Sequence, residues 1–204
     1  MNTAEDLLKS VNAWQTGHFL LTSGLHSDQY MQCQKILQYP DHGLKLAREL
    51  AVKILMAGIR PQAVVGPALG AVHMEVYMAI ALNEAMKNAG ENFEQVRAIF
   101  AEREAGSQEF SIRRGIELSP GEAVLVVEDV TTTGGSARKV VDLVKELGAT
   151  PVAVAAIIDR SGGAASFGVP FYSLVALNLK TYEEKDCPMC QAGGKAIKLG
   201  SSKK

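Results

Sequence analysis

The chain has little cysteine: Cys33, Cys187 and Cys190 are the three in 204 residues. A sparse, odd set without a secretory leader argues against a disulfide framework. Cys187 and Cys190 form a lone CPMC towards the end of the chain. A zinc site usually takes four ligands and no second cysteine pair exists. The motif therefore reads as a surface turn with two free thiols, or as half a site that histidines elsewhere could join. Long apolar runs are also missing, and nothing approaches the roughly 20 residues of a membrane-spanning helix. The opening MNTAEDLLKSVNAW puts acids where a leader would carry a basic end, so a cytoplasmic protein is expected. Charge of one sign is absent too. Lys and Arg number 21 against 22 Asp and Glu, a net charge of −1 that gives no global pull towards nucleic acid or an anionic membrane. Neither G-x-x-x-x-G-K-[ST] nor G-x-G-x-x-G occurs, so two familiar phosphate loops are excluded.

What is present fits an ordered α/β domain. Apolar residues make up 47% and charged residues 21%, near the globular norm. TAEDLLKSVNAW sets Leu7, Leu8, Val11 and Trp14 at helical spacing with Thr3 as N-cap. GHFLLTSGLHSDQYMQC reads as two short strands around a polar turn at Ser23 to Asp28. A helix is predicted from Asp41 to the Gly58 stop, then a strand in QAVVGPALG, a helix in AVHMEVYMAIALNEAMKNAG and a strand in QVRAIFAE. Residues 102–122 lose apolar periodicity and suggest a hairpin or flexible flap. AVLVVED, SARKVVDLVKELGA and PVAVAAIIDR then alternate strand, helix, strand, and after PFYSLVALNL the chain turns polar and Gly/Lys-rich. Strands apolar throughout, alternating with helices, predict a central, mainly parallel sheet flanked by helices. No internal repeat or low-complexity linker divides the chain, so 1–204 is taken as one domain. Residues 1–40 form its first helix and hood segment, and 183–204 a polar, loosely held tail.

The most informative stretch is VLVVEDVTTTGGS, residues 124–136. In open parallel sheets, ligands bind beyond the carboxyl ends of strands, where loops enter helices. Glycines there allow close backbone approach, and the N–H groups at a helix start suit a phosphate. Threonine and serine hydroxyls add donors. Glu128 and Asp129 repel phosphate but suit sugar hydroxyls, or a hydrated Mg²⁺ bridging to them. A phosphorylated ribose satisfies both halves. The competing reading is an acidic turn whose threonines merely cap a helix.

With these residues in view, VLVVEDVTTTGGS resembles the phosphoribosyl pyrophosphate (PRPP) motif of type I phosphoribosyltransferases. The chain from about Gly17 to Gly163 is most similar to the orotate phosphoribosyltransferase family. GHFLLTSGLHSDQY is similar to that family's hood segment, VVGPALGA to its pyrophosphate-side loop and AIIDRSGG to the strand end carrying an orotate-binding arginine. The CPMC tail is similar to that of a bacterial subgroup. The resemblance implies the type I phosphoribosyltransferase fold, with a small N-terminal hood and a flexible flap. It places Glu128 and Asp129 on the ribose hydroxyls, with Val130 in the same motif, and Thr131, Thr132, Thr133, Gly134, Gly135 and Ser136 around the 5′-phosphate. Thr132 also comes near orotate, and Arg160 takes its carboxylate, which suits a planar two-pronged donor. The bland alternative is a surface Arg160 paired with Asp159. Arg103 is implied on the flap, reaching pyrophosphate across a homodimer interface, with Mg²⁺ brought in by PRPP rather than by dedicated protein ligands.

This sequence departs from the family pattern in its cations. Better-known members have lysine where Thr22 stands and another about where Gly70 stands, and their flap carries lysine and histidine. EREAGSQEFSIRRG keeps only Arg103, Arg113 and Arg114. Arg113 and Arg114 either substitute at pyrophosphate or form a solvated hairpin face. His26 is a candidate proton donor or base contact, Tyr30 could stack on the base, and His73 reads as structural. The implied function is transfer of 5-phosphoribosyl from PRPP to orotate, giving orotidine 5′-monophosphate and pyrophosphate in pyrimidine synthesis. The rivals are a purine phosphoribosyltransferase and a non-catalytic PRPP-sensing regulator. The absence of a basic surface or helix-turn-helix segment counts against DNA binding.

Overall fold

A computed structural model describes residues 3–21, 23–104 and 106–199. Thr22, Ala105 and the last five residues of the expected tail lie outside the described residues. In chain order the elements are α1 (Ala4–Ser10), β1 (Trp14–Leu20), β2 (His26–Met31), α2 (Gln34–Leu37), α3 (Pro40–Met56), β3 (Ala63–Pro67) and α4 (Val72–Asn88). They continue with β4 (Arg97–Arg103), β5 (Phe110–Ser111), β6 (Ala123–Thr131), α5 (Gly135–Glu146), β7 (Thr150–Asp159), β8 (Phe171–Ala176), β9 (Thr181–Tyr182) and α6 (Pro188–Gln191).

The main sheet has six strands in the order β5-β4-β3-β6-β7-β8, all parallel except the short β5. Its central strands are apolar on both faces because both faces are covered. Val64 of β3, Leu125 and Val127 of β6 and Ala155 of β7 pack with α3 and α4. Ala63, Val65, Val124, Val126 and Val154 point the other way, towards α5. That helix presents Ala137, Val140, Val141 and Val144 at 3, 4 and 7 residue spacings, the stripe one buried face requires. Capping agrees with the sequence at α1, where Thr3 and Asp6 form a reciprocal capping box.

The connection from β3 passes through α4 towards β4, whereas that from β6 passes through α5 towards β7. The two run in opposite directions and lie on opposite faces, so the chain diverges between β3 and β6. Ligands of such sheets sit at that divergence. A second, three-stranded antiparallel sheet, β1-β2-β9, stands over the same edge as a hood.

Three details refine the sequence expectation. The ladder between β6 and β7 runs to the Thr131–Asp159 pair, so β6 continues two residues past Asp129, where the sequence reading ended the strand. Among the described residues of 102–122, β4 and β5 pair antiparallel, the hairpin alternative of the sequence reading, and an irregular return follows. The polar tail docks on the hood: Cys187 is fully buried, and Ile197 bonds the backbone of His18 and Leu20. Among the described residues, no helix is long and apolar enough to cross a membrane.

Candidate active site

The end of β6 builds the first half of the site. Glu128 and Asp129 are partly buried at its mouth. Burial, reinforced by the neighbouring Asp129 charge and opposed by Arg103, raises the Glu128 carboxyl to about 8. Burial also raises Asp129, against bonds from the Val130 amide and from Gln34. Two adjacent carboxyls held above their usual range are poised to receive hydroxyl donors or a cation. Thr132 and Thr133 then turn outward, and Gly134 takes φ +76°, a left-handed conformation open to glycine at little cost. A side chain at Gly134 would also meet the Phe167 ring at 2.8 Å. The turn delivers the chain into the N-terminus of α5, where free amides and the helix dipole favour an anion. A cavity of about 270 Å³ opens there, lined by Glu128, Thr132 to Ser136, Arg103, Gln108, Phe110 and Lys139.

Arg103 ends β4 and reaches this cavity within its own chain, hydrogen-bonded to Gln108 and 4.8 Å from the centre of the Phe110 ring. Lys139 is a cation that the sequence did not single out. It stands on the first turns of α5 and bonds Gln108 O and the Glu109 carboxylate of the flap. Arg113 and Arg114 do not reach the cavity. Arg113 bonds Ser111 and faces Glu104 at 3.8 Å, while Arg114 bonds Glu102 at 2.7 Å, so both are spent on the exposed flap surface.

Loop 67–71 borders the same corner. Gln34 donates to Gly70 O and lies 3.4 Å from the Asp129 carboxylate, tying this loop to the acid pair. Behind it, the buried Glu75 accepts from the Gly66 amide at 3.1 Å, and burial raises its carboxyl to about 8.

The second half comes from β7, the neighbour of β6. The Arg160 amide donates to Thr131 O at 2.7 Å, which places the two loops side by side. Arg160 lines a cavity of about 870 Å³ with Thr132, Thr133, Ser161, the hood residues Leu21, Leu25 and Tyr30, and Thr181 of β9. Its Nε is buried without a hydrogen-bond partner, and its side chain makes no ion pair among the described residues. Asp159 instead accepts from the Ser161 amide, so the surface pair with Asp159 does not form. Burial depresses the Arg160 guanidinium. A cation held at that cost faces an open cavity, which suits an anionic group of the ligand. Thr132 and Thr133 line both cavities, so the two are joined through this pair of hydroxyls.

Two singled-out histidines lie elsewhere. His26 is buried in β2 and turns to His18 and Cys190, away from the Arg160 cavity, because the hood folds that face onto the tail. His73 is exposed on α4 beside the Tyr77 ring. A third cavity, at Gln62, Arg97 and Glu122, lies at the opposite edge of the sheet, where both Glu122 oxygens hold Arg97 at 2.7–2.8 Å.

Comparison with known proteins agrees with this geometry. The sequence model described as "Phosphoribosyl transferase domain" matches residues 35–189. The orotate phosphoribosyltransferase of Caldanaerobacter subterraneus subsp. tengcongensis is 46% identical over 198 residues, covering 97% of this chain and 96% of that protein. The Thermotoga maritima orotate phosphoribosyltransferase is 43% identical over 197 residues, covering 97% of each. Among solved structures, orotate phosphoribosyltransferase from Aeropyrum pernix has a TM-score of 0.65 at 25% identity, covering 85% of this chain and 93% of that one. Sequence and fold together show that the chain belongs to the phosphoribosyltransferase family, among its orotate phosphoribosyltransferase members.

Proposed function

We propose that this protein transfers the 5-phosphoribosyl group of PRPP to N1 of orotate, forming orotidine 5′-monophosphate and pyrophosphate. The observation that carries the reading is Arg160: a buried, unpartnered guanidinium nitrogen in a cavity joined, through Thr132 and Thr133, to a phosphate-suited helix N-terminus. A purine has no carboxylate for that guanidinium, whereas orotate does.

In this reading the 5′-phosphate lies on the amides and hydroxyls of Thr132 to Ser136, beyond Val130 and Thr131; the Thr131 side chain, fully buried at the end of β6, does not line that cavity. Glu128 and Asp129 accept the ribose hydroxyls. Arg160 forks onto the orotate carboxylate, and Thr132 meets the base edge. Tyr30 forms the wall over the ring. Arg103 faces the departing pyrophosphate, and Lys139 adds positive charge on the phosphate side. Breaking the C1′–O bond leaves positive charge on the ribose and negative charge on pyrophosphate, so the work is mainly electrostatic. Orotate N1 gains negative charge readily, so the reaction needs no dedicated strong base. A flap without lysine or histidine is compatible with that.

The donor set fits magnesium arriving with PRPP. The carboxyls of Glu128 and Asp129 are hard oxygen ligands whose burial cost a facing cation relieves. Bound there, the ion would neutralise charge on the leaving pyrophosphate. A homodimer and a cytoplasmic setting belong to the same proposal.

The test is a base panel. Protein, Mg²⁺ and PRPP are mixed with orotate, adenine, guanine or hypoxanthine, and ultraviolet absorbance is followed. Orotate consumption with inert purines is expected. Robust purine turnover with no loss of orotate would overturn the assignment, and PRPP binding without turnover of any base would favour a regulator.

A further inference from the structure

Away from both cavities, His18 of β1, His26 of β2, and Cys187 and Cys190 around α6 bring one ligand atom each within 4.8 Å of all the others. His26 Nδ1 is 2.9 Å from His18 Nε2 and 3.2 Å from Cys190 Sγ. His18 Nε2 is 3.5 Å from Cys187 Sγ and 3.6 Å from Cys190 Sγ. Tetrahedral zinc, with Zn–N of about 2.0–2.1 Å and Zn–S of about 2.3 Å, spaces its ligands by about 3.3 Å (N–N), about 3.6 Å (N–S) and about 3.8 Å (S–S). Of these four distances, two N–S spacings match and two are short by roughly 0.4 Å; the other two pairs, Cys187 Sγ with His26 Nδ1 and with Cys190 Sγ, lie within 4.8 Å, so side-chain rotations bring the set to tetrahedral spacing.

Hydrogen bonds do not explain the cluster. A ring nitrogen either donates one hydrogen or offers one lone pair, yet His18 Nε2 faces three polar atoms at once. The ring's other nitrogen, Nδ1, is buried without a partner, so its polar contacts all lie in the cluster. A divalent ion engages all four atoms together. With two thiolates and two neutral imidazoles the charges sum to zero, which suits a site where Cys187 is fully buried and His26 is 6% exposed.

The backbone is built towards the same point. Cys187 precedes α6 with Pro188 at its first position, and Gln191 N bonds Cys187 O at 3.1 Å, a turn that brings the two sulfurs of the C-x-x-C together. Gly194 lets the tail pass where a side chain would meet Met189 O at 2.9 Å and His18 Nδ1 at 3.3 Å. Ile197 then continues as a bridge beside Phe19.

We propose that His18, His26, Cys187 and Cys190 form a tetrahedral zinc site that fastens the C-terminal segment to the β1–β2 hairpin. A small hairpin has little stability of its own. This hairpin and β9 supply the hood wall of the Arg160 cavity through Leu21, Leu25, Tyr30 and Thr181. The staple therefore sets the shape of that wall; this consequence rests on the proposed function, and the metal site does not.

The full chain, purified reduced and without chelator, is analysed by inductively coupled plasma mass spectrometry, with about one zinc per chain expected. Chelator-stripped protein titrated with Co²⁺ should develop the intense visible bands of tetrahedral cobalt and a thiolate-to-cobalt band in the near ultraviolet. Cys190→Ser should lose zinc and that band. His26→Cys, which keeps four ligands, should retain zinc and strengthen the band. The wild-type cobalt titration stands even if a variant fails to fold. Absence of both zinc and a tetrahedral cobalt spectrum, or undiminished zinc in folded Cys190→Ser, overturns the site. An orotate KM that does not rise on stripping the metal overturns its link to the hood alone. Failure of every base to turn over overturns the functional reading and leaves the metal result standing.

Discussion

Removing the Arg160 guanidinium should separate the two halves of the site. Its Nε is buried without a partner, and burial already disfavours its charge. Orotate would supply the missing anion, through hydrogen bonds to charged groups worth about 1.5–3 kcal/mol each. Truncating one partner of such a buried pair costs about 2–5 kcal/mol, much of it from the stranded opposite charge. Taking about 3 kcal/mol, Arg160→Ala should raise the orotate KM, or lower kcat/KM for orotate, by roughly two orders of magnitude. The KM for PRPP should change less than about threefold, since Arg160 lines only the larger cavity. The free protein should not lose thermal stability, because the substitution deletes a desolvated charge that no protein group compensates. Arg160→Lys keeps the charge and loses the planar fork, so it should fall between. Steady-state kinetics with each substrate varied, plus a thermal melt of each variant, decide the matter. Equal loss for both substrates, or a melt several degrees lower, would refute the argument that this guanidinium is held in readiness for the base.

Other outcomes follow from the buried acids and the tight turn. With its carboxyl at about 8, Glu128 is largely protonated at neutral pH, and sugar hydroxyls bind its ionised form. PRPP affinity should rise with pH and level off near 8, with proton release on binding. Calorimetry in buffers of different ionisation heat checks this, and Glu128→Gln should sharply reduce both effects, leaving only the part that the raised Asp129 carboxyl contributes. Glu75 is likewise raised from 4.5 to about 8, so its stabilising contribution is full below pH 4.5 and is lost as pH climbs to about 8. Denaturant melts should show Glu75→Gln gaining on wild type across that interval, by at most about 5 kcal/mol. A parallel pair of stability curves would contradict this. Gly134→Ala forces a left-handed alanine, at about 1–2 kcal/mol, and drives its methyl into Phe167. It should lower the melting temperature and weaken PRPP binding at least tenfold, as equilibrium dialysis would detect.

The sequence carried the sheet and the phosphate corner because both are local patterns. β3, β6 and β7 announce themselves as apolar runs buried on both faces, and the stripe of α5 repeats at helical spacing. What stayed hidden depends on chain segments far apart. That Arg160 stands beside Thr132 follows from β6 and β7 being neighbours, a property of strand order. The strand reading stopped at Asp129, but pairing with β7 carries it through Thr131. Lys139 was not singled out, because no local pattern separates it from the other charges of α5. Its one available signal was its place in the turns just after the glycine pair. α2 and β9 span only four and two residues, too short to show a period. His26 was a candidate base contact because its turn resembles the hood segment; closure against Cys190, 164 residues away, redirects it. Arg113 and Arg114 are paired by flap acids whose register no local pattern specifies.

A crystal structure with orotidine 5′-monophosphate tests the central claim most directly, since the proposed binding mode would have that product span both cavities. The phosphate is expected on the amides of residues 132–136, the ribose diol against Glu128 and Asp129, and the carboxylate on Arg160. A product phosphate seated on Arg160, or a carboxylate turned to solvent with Arg160 still unpartnered, would contradict the account.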